Sequence, residues 1–203
     1  MPIFFILFLG TALGIQIMMR KNKVDFKKTL ENIQEREQKA NLSRKRDIEK
    51  EFYVIPDKDI LPIKNYEETP ENKKIIAVQK LVLKKAELTM LKFDEPISNT
   101  DLKFKYGFAN LEIITIYEEH YNSYMQALVE WAKMLFERNN LSDAEIILNE
   151  AIRLKCDLSR AYMLLIDIYK QKNDLEKLKN LINTVENSTL KLKSKILEYS
   201  EAS

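Results

Sequence analysis

Glycine and proline are scarce in this 203-residue chain, with 3 Gly and 5 Pro. Tight strand connections consume glycine, so a turn-rich β-sandwich or barrel is disfavoured, and collagen-like and low-complexity classes are excluded. One Cys allows no internal disulfide and no cysteine zinc site, and one His removes the usual catalytic and metal-binding arrangements. A glycine-rich phosphate loop is also missing. An excess of one charge is lacking too: the net +2 is too small to imply a nucleic-acid partner. What the chain does have is 45% apolar and 32% charged residues, enough for one helical domain plus an appendage.

Residues 2–19 read PIFFILFLGTALGIQIMM, without a charge. As a helix they would span about 27 Å, close to the hydrocarbon thickness of a bilayer. Ten are Ile, Leu or Phe, each favouring insertion by roughly 0.3 to 0.6 kcal/mol, which outweighs Gly10, Thr11, Gly14 and Gln16. A cleaved signal peptide would want basic residues before the run and a small-x-small site after it, and neither is present. Residues 1–19 are therefore expected to be an uncleaved transmembrane anchor. Arg20, Lys21, Lys23, Lys27 and Lys28 crowd its C-terminal flank, so the positive-inside rule places the rest at the cytoplasmic face. These five cations are also candidates for contact with anionic lipid. The abundance of Asn, Lys and Ile favours a bacterial inner membrane, with a mitochondrial outer membrane as the other setting for such an anchor.

Beyond the anchor, residues 20–50 form a basic stem with 11 Lys+Arg against 6 Asp+Glu, which leaves the remainder mildly acidic. Its sparse apolar residues support a charged, partly frayed helix with little face to bury. Residues 51–70 carry Pro56, Pro62 and Pro70 and read as an extended hinge, able to reach at most about 65 Å. Its Phe52, Val54, Ile60 and Leu61 are too apolar for a mere tether, so part of it is expected to lie on the head. The head, residues 71–203, should begin with a helix over about 71–93, capped by Thr69 and Pro70. A second helix over 101–121 should break near Asn122, and a last one over 189–199 should cover the C-terminal end.

Shifting the chain by 34 residues superposes 125–158 on 159–192. Leu128 then pairs with Tyr162, Trp131 with Leu165, Leu135 with Tyr169, Leu148 with Ile182 and Ala151 with Val185. Each segment has a 3.6-period stretch, a polar turn (Asn139 and Asn140; Asn173 and Asp174) and a second stretch, which is a helical hairpin. The pattern resembles the tetratricopeptide repeat (TPR) family. Tyr162, Leu165 and Tyr169 match its helix A packing positions, and Ala132, Ala144 and Ala151 its small-residue positions. Cys156 and Leu190 stand where the family often has Pro, and Leu178 and Val185 replace alanines, so the second unit is looser. The likeness covers about 68 of the 203 residues. It implies an all-α fold of TPR-like antiparallel helical hairpins, about two repeats plus flanking helices, behind a single N-terminal transmembrane helix. Two hairpins bury too little alone, so the flanking helices should close both ends. The resemblance also implies a concave groove lined by helix A, with Gln126, Val129, Lys133 and Phe136 from the first unit and Arg160, Met163, Asp167 and Lys170 from the second. Such a groove suits a peptide or protein partner.

Catalytic candidates are few. His120 follows Glu118 and Glu119, but adjacent residues point to different helix faces and no second His exists. Cys156 lacks a neighbour that would activate its thiol, apart from Lys155. The aromatic series Phe104, Tyr106, Phe108, Tyr117, Tyr121, Tyr124 and Trp131 could stack bases, yet nucleic-acid platforms come with clustered cations and this head is net acidic. The expected function is a membrane-tethered adaptor, not an enzyme, with no cofactor, metal or nucleic acid. The alternative is a structural subunit that braces a larger membrane complex.

Overall fold

The computed structural model describes residues 26–202. The expected anchor and Arg20, Lys21 and Lys23 lie outside them. Among the described residues no helix is long and apolar enough to cross a membrane.

The fold is all-α with one small β pairing. Helix α1 covers residues 26–41. Strand β1 (Tyr53–Val54) is followed by α2 (Lys73–Ala86), β2 (Met90–Leu91), α3 (Asn99–Tyr106), α4 (Leu111–Glu137), α5 (Leu141–Arg153), α6 (Ser159–Gln171), α7 (Leu175–Glu186) and α8 (Lys193–Ala202). The chain divides into two compact units, one from residues 26–48 and 95–113, the other from 49–94 and 114–202.

In the smaller unit the end of α1 packs on α3. Ala40 is fully buried. Glu37 pairs with Lys103 and accepts from Thr100, and Lys103 Nζ also donates to Asn41 Oδ1 at 2.9 Å. Those bonds from Lys103 and Thr100 hold the Glu37 carboxyl below its usual range. Ser98 caps α3 by accepting from the Asp101 amide. The stem is thus not wholly a solvated helix: its second half has a partner, whereas Lys27 and Lys28 are exposed.

The larger unit holds the main core. Trp131, Tyr121, Tyr124, Met125 and Leu128 of α4 are buried with Ala144, Ile147 and Leu148 of α5, Leu165 and Ile168 of α6, Val185 of α7 and Ile196 of α8. Helices α5 and α6 pack together, as do α6 and α7, and α8 packs on both α6 and α7. Ala132, Ala144, Ala151 and Ala161 are completely buried, and without long side chains they let the backbones approach closely.

The same turn recurs at a fixed interval. Helices α4 and α6 end at Glu137 and Gln171, and α5 and α7 begin at Leu141 and Leu175, each pair 34 residues apart. Asn139 (φ 58°) and Asn173 (φ 54°) take the left-handed conformation. At each turn the next amide reaches back into the ending helix, Asn140 N to Leu135 O and Asp174 N to Tyr169 O, both at 2.9 Å. This satisfies carbonyls that a helix end otherwise leaves open, and Asn tolerates positive φ better than other non-glycine residues.

Several expected boundaries move. The first helix of the head stops at Ala86, not near 93, because Met90 and Leu91 leave it to pair antiparallel with Val54 and Tyr53. Thr69 does serve the turn into it, accepting from the amides of Asn72 and Lys73. The expected helix over 101–121 is broken early, because Gly107 (φ 88°) ends α3 and α4 begins only at Leu111, and the expected break at Asn122 is absent: α4 runs unbroken for 27 residues. Asn122 is exposed, where its weak helix propensity costs under about 1 kcal/mol, and the flanking buried Tyr121, Tyr124 and Met125 outweigh that. The last helix starts at Lys193 instead of 189.

The hinge also proves to be more than a tether. Leu61 is buried, and Val54 and Tyr66 pack against the core. Gln79 of α2 bonds both backbone groups of Lys64, Lys64 pairs with Asp143 of α5, and Phe52 meets Phe93 with ring centroids 4.9 Å apart. Residues 53–66 form a strap held to α2 and α5, so the free reach expected of this segment does not exist.

Candidate binding face

The candidate groove residues lie on α4 and α6, two helices separated in sequence by α5. On α4, residues 126, 129, 133 and 136 recur at the spacing of one helix face. Gln126 is exposed, Lys133 and Phe136 are half-buried, and Val129 is buried. Lys133 reaches Glu137 one turn on, at 3.3 Å. Phe136 packs against the core with part of its ring exposed. This half presents a polar side chain, a paired cation and a ring edge, while Val129 serves the interior.

The α6 half is different. Arg160 is exposed and Met163 half-buried, but the next turns are engaged by α8. The Tyr199 hydroxyl donates to the Asp167 carboxylate, 3.0 Å from both oxygens. Lys170 Nζ donates to the Ser200 carbonyl at 2.6 Å. Of the eight positions, Gln126, Lys133, Phe136, Arg160 and Met163 keep exposed surface, and Asp167 and Lys170 hold the last helix in place. The sequence carried a signal for this: Ile196, Leu197 and Tyr199 form an apolar face on a short amphipathic segment, and such a face needs a partner.

A second feature escaped the sequence reading. Glu150 of α5 has a side chain with no exposed surface, and its carboxylate accepts from Arg153 Nε at 2.5 Å, from Arg153 Nη2 at 2.7 Å and from the Asp57 amide at 3.0 Å. Arg153 Nη2 also donates to the Ile55 carbonyl at 3.2 Å. The pair clamps the strap onto α5. Bonding to Glu150 raises the Arg153 guanidinium further above its already high value.

Glu145, one turn before Asn149 on the same helix, joins successive hairpins by pairing with Lys172 and Lys177 at 2.5 and 2.7 Å. Burial works to raise its carboxyl, but the two lysine hydrogen bonds outweigh that and hold it below its usual range. Tyr121 and Tyr162 act as caps, donating to the carbonyls of Leu154 and Lys155 and of Cys156.

The reactive-residue candidates are placed as follows. His120 Nδ1 lies 2.9 Å from the Thr89 carbonyl, to which its N–H donates, and its ring sits 6.2 Å from that of Tyr117. Burial raises the Glu118 carboxyl, with Lys92 opposing, while Glu119 is exposed. Cys156 is 1% exposed, and burial pushes its thiol up to about 11, the reverse of activation. Of the aromatic series, Tyr106, Tyr121, Tyr124 and Trp131 are buried and so present no faces for stacking. Among the described residues no cluster of three His, Cys, Asp or Glu could hold a metal ion. No protein-family profile, curated protein or solved structure matches this chain.

Proposed function

We propose that the chain is a membrane-tethered adaptor in which residues 125–192 form two TPR-type units that take a peptide or protein partner on the α4 and α6 face. The observation that carries this reading is the recurrence of one turn, left-handed Asn followed by a back-bonded cap, at an interval of 34 residues. That interval is the length of the family's unit, and α6 packs on α7, as the two helices of such a unit would. The partner side would meet Gln126, Lys133, Phe136, Arg160 and Met163, a mixed apolar and cationic strip. Anchoring through residues 1–19 would confine the head to a thin layer beside the membrane and raise its effective concentration for other membrane-bound proteins.

Phe136 also packs on the core, so the cleaner test combines Lys133→Glu with Met163→Asp. A photo-crosslinking residue at exposed position 126 of the full chain, in its native membrane, should give a discrete adduct. The double variant should lose that adduct with unchanged helicity. A persistent adduct, or none at all in the parent, would reject the groove. Extraction with alkaline carbonate tests the anchor separately, because an inserted helix stays with the lipid.

A second reading, the brace of a larger complex, is favoured by one observation: α8 already occupies the Asp167 and Lys170 end of the face. A stoichiometric complex in mild detergent that survives the double variant would favour the brace over the adaptor.

A further inference from the structure

Helix α2 has an outer face that no core contact explains. Its sequence, KKIIAVQKLVLKKA, contains five lysines and no acid or arginine. Ile75, Gln79, Val82 and Ala86 point into the protein, and the opposite side carries exposed Lys73, Lys74, Lys80 and Lys84. None of these four has a carboxylate partner among the described residues. Between them lie Ala77 and Leu81, with Leu88 just beyond the helix, and the two leucines are 43% and 38% exposed. Glu87, just past the end of the helix, is paired with Lys58 of the strap.

We propose that this face of α2 docks on an anionic lipid surface. Three properties favour a bilayer over an acidic protein. The cations are all lysines, point charges on flexible stems that suit a diffuse, laterally mobile layer of phosphates, whereas a fixed carboxylate is better matched by the planar fork of arginine. Leu81 and Leu88 add exposed apolar surface beside the lysines, the kind of side chain that enters the headgroup boundary. The face is a single helix side without a groove, so it offers a protein little to interlock with. Each lysine near an anionic membrane is worth about fivefold in partitioning, so four give a substantial bias that vanishes in neutral lipid. The proposal rests on the α2 face and not on the anchor, which only brings the face within reach.

The test uses the full chain with Ala77→Cys carrying a fluorescent label. Cys156 is buried, so the label goes to position 77 alone. The protein is reconstituted with vesicles of phosphatidylcholine, or of phosphatidylcholine mixed with phosphatidylglycerol, each containing a headgroup-attached quencher. Quenching should appear in the anionic vesicles, be absent in the neutral ones, and fall away in molar salt, where the screening length shrinks to about 3 Å. The variant Lys73→Glu, Lys80→Glu, Lys84→Glu should reduce it at least about tenfold with the circular dichroism unchanged. A label at Asn183→Cys, exposed on α7, should stay unquenched. Equal quenching in both lipids, or quenching indifferent to the triple variant, overturns the proposal. Protection of position 77 in native membranes without any response to phosphatidylglycerol would assign the face to an acidic protein and likewise overturn it. Should the anchor reading fail, carbonate would strip the chain while quenching on anionic vesicles persisted, so the two failures are distinguishable.

Discussion

Glu150 is the residue on which the strap depends. A buried carboxylate is tolerated only when its oxygens are satisfied, and here Arg153 and the Asp57 amide do that. Removing it would leave the Asp57 amide unpaired, while the half-exposed Arg153 could turn to water. Glu150→Ala should therefore cost about 3 kcal/mol in urea unfolding, with faster amide exchange at Asp57. Restored protection at Asp57 in Glu150→Gln would show that the hydrogen bond, more than the charge, holds the strap. Nearby, the Tyr124 hydroxyl is buried with no hydrogen-bond partner among the described residues, and burial, with the Glu150 charge adding, raises its pKa. Tyr124→Phe removes a group that gains nothing in the folded state, so it should be neutral or stabilising by up to about 1 kcal/mol. Cys156 should resist a thiol reagent at pH 8 until the protein unfolds. Rapid labelling of the native chain would contradict its burial and its thiol pushed up to about 11.

At the level of elements, the turns are the points where one residue decides the path. Asn139→Ala places a Cβ-bearing residue without Asn's tolerance at φ 58° and should cost about 1 kcal/mol, while Asn139→Gly should be neutral or better. Gly107 (φ 88°) ends α3, and a Cβ there would come within 2.5 Å of the Arg44 carbonyl oxygen. That contact leaves no room for Gly107→Ala, which should expose the Arg46 amide, now bonded to Tyr106 O, to hydrogen exchange while leaving α6 protected. Between hairpins, the lysine pair on Glu145 has a pH signature. Its folded pKa lies below the ordinary 4.5, so its contribution is fully present above that value and is lost as the pH falls through the lowered one. Glu145→Gln should flatten the acid limb of stability in that window and leave the neutral region changed only by the loss of the pair. An unchanged acid limb would mean that the pair does not hold in solution.

For the molecule as a whole, the helical class followed from the scarcity of glycine, the charged, apolar-periodic stretches and the turn residues, because a period of 3.6 and a helix end are local properties of a chain. The interval between Asn139 and Asn173 is likewise written in the residues. Three features were not legible, and each depends on residues far apart. Asn122 looked like a break because local propensity is weak, and burial on either side overrode it. The apolar residues of segment 51–70 pointed to contact with the head, but the partners that hold it there, Gln79, Asp143 and Glu150, come from distant helices and no local pattern names them. Asp167 and Lys170 matched positions of an open groove until α8 folded back over them. By itself, then, the sequence determined which segments become helices and where two of their turns repeat, since φ preference and side-chain period act over a few residues. Which faces stay open, and which are closed by the strap and the last helix, was decided only in three dimensions, because burial and hydrogen bonding between distant segments outweigh anything a local pattern records.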